Sequence, residues 1–414
     1  MFAVAAVAGL VTQAFADIRR VPQQYPTITA AIEASYDGDV VEVGPGVYAE
    51  GLNLGGREIT VRSTAGASST IVDPVSGRCL TVNGQRGAGA RLEGFTLRGG
   101  SASVGGGVYV WASSPVLLNC VITGNTASAE GGGVWVGSGS PRLVGCTVSR
   151  NLVPYYGGGV YVSGGSVVLE VCEVIGNTLT NPLWSSGGGM FVSSGTVTLV
   201  DVTVGGNTAK SGGGLFIGGG TLSATSCAVI GNHATGGGGV YAAGSLRLTD
   251  CTVTGNSSVG DGGGLFTTVS ATVSGGSIDQ NDAGGYGGAW YVASGGPLLQ
   301  SSQVRNNGAM MVGGLWVASS LMRVGGTTFC GNGVNVIGSW MNLGGNQFNG
   351  QCPPGCIGDV NGNEYVDGVD LGEMLARWGP CEGPPCYADF NSDGYVDGDD
   401  LGLLLAAWGP CPGN

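Results

Sequence analysis

Basic residues are scarce in this sequence, which has one lysine, Lys210, and one histidine, His233, in 414 residues. Lysine and arginine together number 15 against 28 aspartates and glutamates, so the net charge is −13. A chain with this balance lacks the positive surface that binds nucleic acid or an anionic membrane. Beyond the N-terminal segment no run reaches 18 apolar residues, and this argues against a membrane-spanning helix there.

The dominant feature is a repeat of about 25 residues. An asparagine recurs at gaps of 24 to 30 residues, namely at Asn125, Asn151, Asn177, Asn207, Asn232, Asn256, Asn281, Asn307 and Asn332. Self-similarity at this period indicates a solenoid in which each repeat contacts its neighbours. The repeats are rich in Val, Leu, Thr and aromatic residues and show no helical periodicity, which indicates strands. The sequence therefore predicts an all-β fold, a parallel β-helix with one coil per repeat.

Each coil contains three short strands in which apolar residues alternate with others, for example at 134–136, 141–144 and 146–148. Stacked coils place equivalent residues about 4.8 Å apart, so we expect the asparagines to form a hydrogen-bonded ladder. Five cysteines share one inward-facing phase: Cys120, Cys146, Cys172, Cys227 and Cys251. Either they are small buried apolar residues, or neighbours in adjacent coils form disulfides.

The N-terminal segment has two predicted functions. Residues 1–16 have the apolar stretch and the small residues at 14 and 16 of an export signal, which makes Asp17 the first residue of the mature protein. Further on, Thr27 can cap a short helix with Ile28, Ala31 and Ile32 on one face. Because the apolar end of a solenoid must be covered, we expect this helix to be its lid.

The stretch from Pro26 to Glu50 has the pattern PTI-x-AAI followed by GD-x-V-x-V-x-PG-x-Y-x-E. This pattern resembles the opening of secreted bacterial pectin-lyase-like proteins. The coils resemble the same family, and the resemblance covers roughly residues 20–350. It implies a right-handed parallel β-helix. It does not by itself imply a reaction, since one fold supports many functions.

Carboxylates are dispersed along the coils. Pectate-lyase relatives need clustered acidic calcium ligands beside a basic residue, and polygalacturonase relatives need several close aspartates. The best pair is Asp201 and Asp250, which share a phase two coils apart. Their backbones should be about 9.6 Å apart, near the roughly 6.5–9.5 Å between the carboxyl groups of an inverting glycosidase. The alternative is that both are solvated on an outer face, and His233 is interpreted as a corner residue beside its asparagine.

An aromatic residue lies in the first strand of nine consecutive coils: Tyr109, Trp135, Tyr161, Phe191, Phe216, Tyr241, Phe266, Trp290 and Trp316. The flanking aliphatic residues should turn inward and the aromatic residues outward. Eight coil steps give an apolar stripe about 38 Å long, a size that marks interaction surfaces. The stripe either stacks on the sugar rings of a polysaccharide or stacks on itself to set the register of the coils.

The C-terminal segment contains two twelve-residue acidic loops, thirty residues apart. Oxygen ligands occupy the positions of an EF-hand-type calcium loop. In the first loop these are Asp359, Asn361, Asn363, Tyr365, Asp367 and Asp370, and in the second they are Asp389, Asn391, Asp393, Tyr395, Asp397 and Asp400. Ligands that are all oxygen favour calcium over zinc. The sequence therefore predicts two calcium ions as cofactors.

An amphipathic helix with the pattern DLG-x-x-L-x-x-WGPC follows each loop. A pair of loop–helix units without a preceding helix resembles a bacterial type I dockerin. The resemblance implies attachment to a cohesin-like or surface scaffold protein outside the cell.

The predicted domains are a signal peptide at 1–16, a β-helix at 17–350 and a small α-helical calcium domain at 351–414. The expected function is that of an extracellular binding or structural protein, anchored through the dockerin-like domain, with polysaccharide as its expected ligand. The alternative is a polysaccharide lyase or glycoside hydrolase delivered by the same domain.

Four cysteines flank the two loops of the calcium domain. A bridge within one half would have to span a helix of roughly 15 Å, whereas a disulfide tolerates about 4.4–6.8 Å between Cα atoms. If a pseudo-twofold axis relates the halves, the pairs are Cys381–Cys386 and Cys356–Cys411. Cys352 then has Cys330 as its nearest candidate partner.

Overall fold

The computed structural model describes residues 16–84, 89–349, 358–360, 365–381, 388–391 and 393–410. The predicted export signal lies outside these residues except for Ala16. The chain divides into two compact units, Met1–Gly350 and Gln351–Asn414. Each unit is described by itself below.

The first unit is a parallel β-helix whose strands stack in columns. Column A consists of Leu52–Asn53, Leu80–Asn83, Val108–Trp111, Val134–Val136, Val160–Val162, Met190–Val192, Leu215–Ile217, Val240–Ala242, Leu265–Thr267, Trp290–Val292, Leu315–Gly325 and Val336–Asn342. Column B consists of Ile18–Val21, Val40–Val43, Thr60–Ser63, Arg91–Glu93, Val116–Leu118, Arg142–Val144, Ser166–Glu170, Thr196–Val200, Thr221–Thr225, Ser245–Thr249, Ala271–Ser274 and Leu298–Gln300. The strand Leu315–Gly325 also pairs with the end of column B.

Column C contributes one strand to each of thirteen turns. Its strands are Gly46–Tyr48, Thr70–Val72, Thr96–Arg98, Val121–Thr123, Thr147–Ser149, Glu173–Ile175, Thr203–Gly205, Ala228–Ile230, Thr252–Thr254, Ser277–Asp279, Gln303–Arg305, Thr328–Cys330 and Gln347–Phe348. Column D consists of two four-stranded sheets joined by bridges from Thr208 to Thr178 and to His233. The strands of the first are Ser101–Val104, Thr126–Glu130, Leu152–Val153 and Thr178–Leu179, and those of the second are His233–Ala234, Ser257–Ser258, Asp282–Ala283 and Gly308–Ala309.

Alternation along each strand places one set of side chains inside the coil. In column A the flanking residues Val134 and Val136 are buried, and Val134 pairs in register with Val108 and Val160 in the adjacent coils. The inward residues of columns A, B and C form one continuous apolar core. The predicted β-helix, its repeat and its strand phases are thereby confirmed, with one correction. The third strand begins at Thr147, so Cys146 lies at the corner before it.

The predicted asparagine ladder is present and buried. Asn207 illustrates its pattern: its Oδ1 accepts hydrogen bonds from the backbone N–H and the Nδ2 of Asn177, at 2.9 and 3.0 Å. Its Nδ2 donates to the carbonyl of Val174 at 2.8 Å and to Oδ1 of Asn232 at 3.0 Å. Each side chain therefore satisfies backbone groups at the corner and links two coils, as buried polar groups must.

The N-terminal helix α1 spans Ile28–Glu33. Thr27 is its N-cap and accepts a hydrogen bond from the Ala30 N–H at 3.1 Å, as the sequence predicts. The carboxylate of Glu50 accepts the N–H groups of Ile28 and Thr29. The apolar face of α1 packs into the same core as the coils.

The second unit contains two helices, α2 at Gly368–Leu375 and α3 at Gly398–Ala406. Two short antiparallel pairings relate its halves: Tyr365–Val366 pairs with Gly409–Pro410, and Gly379–Pro380 pairs with Tyr395–Val396. The small core is equally symmetric and is formed by Val366, Met374, Ala388, Val396 and Leu404. The strand before each helix therefore pairs with the strand after the other helix, as the predicted pseudo-twofold relation requires.

Candidate functional site

The outward aromatic column follows column A in register, with one correction. The chain of pairings is Tyr109, Trp135, Tyr161, Phe191, Phe216, Tyr241, Phe266, Tyr291 and Trp316. The prediction of Trp290 was wrong: Tyr291 occupies the position, and Trp290 is fully buried.

Trp290 points inward because it is the first residue of its strand. It pairs with Leu265 and Leu315, which are core residues. Its indole Nε1 donates to Oγ1 of Thr267 at 2.9 Å, so the buried N–H is satisfied. In the preceding coil, Thr267 pairs with Ala242. Ala242 is a small inward residue at a position where other coils have Val or Ile.

The aromatic rings stack on one another. The pairs Tyr109–Trp135, Tyr161–Phe191 and the four that follow as far as Tyr291 have ring centroids 4.7–5.3 Å apart and interplanar angles of 4–13°. The guanidinium of Arg78 lies over the Tyr109 ring, 4.5 Å from its centroid. Each ring face within these pairs is therefore occupied by a neighbour. Trp135 and Tyr161 are buried, at 8 % and 7 % exposure, so the predicted exposed stripe is wrong at these two positions. This geometry favours a register ladder over a platform for sugars.

The weak catalytic candidates Asp201 and Asp250 occupy one corner of the coil, two coils apart, with Ser226 between them. Both have a left-handed backbone, with φ of 53° and 51°, and Ser226 has φ of 53°. Aspartate tolerates this conformation better than most residues. Both side chains are exposed. Their positions are thus explained by the turn, and no cleft residue joins them into a site.

The cysteine column lies one residue after the same corner. The described cysteines of this column are free and buried. Sγ of Cys146 is 3.4 Å from the carbonyl of Val144, two residues earlier. At the equivalent positions of later coils, the hydroxyls of Ser302 and Thr327 donate to the carbonyl two residues earlier, at 2.9 and 3.1 Å. The column therefore supplies corner hydrogen-bond donors. A hydrogen bond with the Cys120 thiol raises the pKa of Cys146 to about 12, so this thiol is not a nucleophile at neutral pH.

His233 lies in column D between Thr208 and Ser257. Its Nδ1 is 2.8 Å from Oγ of Ser257, and Asp282 pairs with Ser257 on the far side. The order along the column is His–Ser–Asp, so the serine is central. A hydrolytic triad needs histidine in the centre, hydrogen-bonded to both others. The row is therefore not a triad.

A longer coil modifies the surface beside His233. The gap from Asn177 to Asn207 is 30 residues, and the extra residues form a loop at 180–186. Oδ1 of Asn181 accepts the N–H groups of Leu183 and Trp184, each at 2.9 Å, which fixes the turn. Trp184 in this loop is 71 % exposed. An exposed indole on an ordered loop is a typical interaction residue.

Lys210 joins this loop to the next coil. Its Nζ lies 2.7 Å from the carbonyl oxygen of Leu183 and 5.5 Å from the centroid of the Trp184 ring. Next to it is a cleft of about 220 Å³, lined among others by Asn181, Thr208, Lys210, His233 and Thr235. The only lysine and the only histidine of the chain therefore line the same cleft.

Sequence reasoning missed this site, although a signal was present. The 30-residue gap marks an insertion, and a Pro-Leu-Trp tripeptide lies within it. What the sequence does not show is that the loop reaches towards the following coils, where Lys210 and His233 lie.

In the second unit, the second acidic loop is described except for residue 392. The carboxylate of Asp389 accepts the N–H groups of Asp393 and Gly394, at 3.1 and 2.9 Å. Asp400 is fully buried, and its carboxylate accepts the N–H groups of Phe390 and Asp397. Asp397 is the N-cap of α3 and forms a capping box with Asp400.

The first acidic loop follows the same scheme where it is described. Asp370 accepts the N–H groups of Val360 and Asp367, and Asp367 caps α2. Its predicted ligands Asn361 and Asn363 lie outside the described residues. Within the described part of the chain, no three acidic, histidine or cysteine side chains converge on a point that could hold a metal. The donor atoms are oxygens of the kind calcium prefers, and the two calcium ions stay a prediction.

The predicted disulfides involve residues outside the described part. Cys330 in the first unit and Cys381 in the second each take part in a disulfide. The predicted pairs also involve four cysteines outside the described residues, namely Cys352, Cys356, Cys386 and Cys411. The pairing therefore stays a prediction.

Comparison with known proteins bears on the β-helix. A family model described as "Right handed beta helix region" matches residues 68–209 and 132–308, which together exceed half of the chain. No curated protein and no solved structure matches the chain. In the described residues, no helix has the length and apolar character needed to cross a membrane.

Proposed function

Because the chain belongs to the right-handed β-helix family, we propose that it is an exported, non-catalytic protein that binds an extracellular polysaccharide. The observation that carries this proposal is Trp184, an indole that is 71 % exposed on the ordered loop of the longest coil. Lys210 lies over one face of this ring. The other face is electron-rich and can stack on the apolar C–H face of a sugar ring. Inner rings of the outward column, such as Phe216, lack such free faces because they stack on both neighbours.

A catalytic role is the weaker alternative. Inverting hydrolysis needs two carboxyl groups that face one bond with a water between them. The best candidates, Asp201 and Asp250, are exposed corner residues with Ser226 between them. The thiols of the cysteine column are buried, and no hydrolytic triad forms around His233. We therefore favour binding over cleavage.

The C-terminal unit is proposed to be a dockerin-like calcium module that attaches the protein to a cohesin-like or surface scaffold protein. This proposal rests on the spacing of the two acidic loops in the sequence and on the pseudo-twofold pairing of the two halves. Similarly, α1 is proposed to close the N-terminal end of the β-helix, because its Ile28, Ala31 and Ile32 extend the core of the coils.

The experiment compares two tryptophans on different parts of the surface. Trp184→Ala removes the proposed platform, while Trp111→Ala removes an indole that is 49 % exposed and stacks on Trp135 of the aromatic column. We expect Trp184→Ala to reduce retention on insoluble polysaccharides about tenfold or more and Trp111→Ala to leave it unchanged. Unchanged retention of Trp184→Ala would refute the proposed site. Loss of retention in Trp111→Ala alone would move the binding surface to the aromatic column.

A further inference from the structure

The cleft beside Trp184 differs in charge from the rest of the protein. The first unit has 17 acidic and 14 basic residues, yet no acidic residue lines this cleft. Lys210 brings a positive charge to it, and the side chain of Lys210 is held in place because Nζ donates to the Leu183 carbonyl. That bond uses one of three ammonium protons, and the other two remain for a ligand.

The other polar groups of the cleft can also donate. Oδ1 of Asn181 is engaged by the Leu183 and Trp184 N–H groups, so its Nδ2 is the part of the amide that can serve a ligand. Thr208 and Thr235, which carry hydroxyl groups, line the same cleft. A lysine with neighbouring amide and hydroxyl donors, and no carboxylate among the lining residues, is suited to an anion.

The size of the cleft limits what can enter it. Its volume of about 220 Å³ is below the roughly 300–1,000 Å³ of pockets that enclose a drug-sized ligand. It can therefore take one sugar unit or its substituent, while the rest of a polymer lies on the open surface.

From this juxtaposition we infer that the cleft binds the anionic substituent of a polysaccharide, a carboxylate or a sulfate ester, next to a sugar ring stacked on Trp184. Lys210 pairs with the anion, and Asn181, Thr208 and Thr235 donate hydrogen bonds to it. The inference rests on the proposed polysaccharide binding and specifies its ligand as acidic. Lys210 has a binding role here, and no covalent step is involved.

The test measures affinity of the full chain for three soluble polymers: polygalacturonate, which carries carboxylates, dextran sulfate, which carries sulfate esters, and uncharged dextran. Lys210→Gln removes the charge but keeps a donor for the Leu183 carbonyl, so the loop retains its support. Arg247→Gln is the matched control, because it removes one positive charge from an exposed position in column B.

We expect at least one acidic polymer to bind more tightly than dextran, and the polymer that does so identifies the anion. Lys210→Gln should weaken that binding about tenfold, and Arg247→Gln should change it less than twofold. Raising the salt concentration should weaken binding of the wild type more than that of Lys210→Gln.

Four results would overturn the inference. Suppose that the protein binds acidic and neutral polymers equally and that Trp184→Ala weakens both. Polysaccharide binding would then stand, but the inference that the cleft binds an anionic substituent would be refuted. Equal losses in Lys210→Gln and Arg247→Gln would reduce the effect to general charge. Full binding in Lys210→Gln but not in Lys210→Ala would assign Lys210 to supporting the loop. Failure to bind any polymer would refute both proposals together.

Discussion

The asparagine ladder makes a quantitative prediction for stability. Asn207→Ala removes an acceptor from the backbone N–H of Asn177 and a donor from the carbonyl of Val174. The other two partners keep a hydrogen bond: Nδ2 of Asn177 still donates to Val148, and Oδ1 of Asn232 still accepts the backbone N–H of residue 207. The substitution therefore leaves the buried N–H of Asn177 without its acceptor. It also removes one hydrogen bond to the Val174 carbonyl, whose strand Glu173–Ile175 stays paired with Thr203–Gly205.

The expected cost follows from those two groups. Leaving the buried Asn177 N–H unsatisfied costs about 1–3 kcal/mol, and losing one hydrogen bond to the Val174 carbonyl costs about 0.5–1.5 kcal/mol, so the two together give about 1.5–4.5 kcal/mol. Local relaxation lowers the sum, and we expect a loss of about 3 kcal/mol in the free energy of unfolding. In a solenoid, energetic coupling runs mainly between adjacent repeats. Most of the loss should therefore appear in the coils that contain Asn177, Asn207 and Asn232.

The assay is urea denaturation combined with native-state hydrogen exchange resolved by segment. Thr208→Ala is the control, since its side chain is exposed beside Asn207, and it should change stability by no more than about 0.5 kcal/mol. Faster exchange should be confined to the affected coils. A loss below about 1 kcal/mol in Asn207→Ala, or faster exchange spread evenly over all coils, would refute the reasoning.

Three further predictions concern the core, the corners and the calcium loops. In urea denaturation, Trp290→Ala should destabilise the protein by about 3–5 kcal/mol, clearly more than Tyr291→Ala. The opposite order would show that Trp290, not Tyr291, lies on the outer face. Cys146→Ala should lower the free energy of unfolding by about 1–2 kcal/mol. Cys146→Ser should lower it less, because a serine hydroxyl is the corner donor at Ser302. Equal thermal unfolding of both variants would reject the corner-donor role. Calorimetry should show that the second loop binds calcium more tightly than the first. The second loop has four acidic ligands and Gly394 at the turn, whereas the first has three acidic ligands and Glu364 there. A larger loss of calcium affinity in Asp359→Ala than in Asp389→Ala would contradict this.

The regular part of the fold could be predicted from the sequence because each coil repeats the same physical constraints. The asparagine at each corner shows the period, and the strand alternation around Trp135 distinguishes inside from outside. The helix α1 was predictable because its cap, Thr27, and its apolar face are local features. Long-range contacts were not needed for any of these predictions.

The errors arose where local features were ambiguous or where neighbouring coils decide. Trp290 and Tyr291 are adjacent aromatic residues, and only their distance from the preceding glycine run shows which one points inward. That distance is hard to read because Ala289 replaces the last glycine of the run. The self-stacking of the outward rings depends on contacts between coils. The cleft lined by Asn181, Lys210 and His233 could not be predicted, because it depends on where the loop of one coil lies over the next two.

The central claim is that the β-helix binds polysaccharide without cleaving it. The most direct measurement incubates the full chain with a panel of plant and bacterial polysaccharides and records three quantities together: retention of the protein, release of reducing ends, and absorbance from unsaturated sugar products. We predict retention on at least one polysaccharide with no reducing ends and no unsaturated products above the level without protein. Release of reducing ends would contradict the claim and identify a hydrolase, and unsaturated products would identify a lyase.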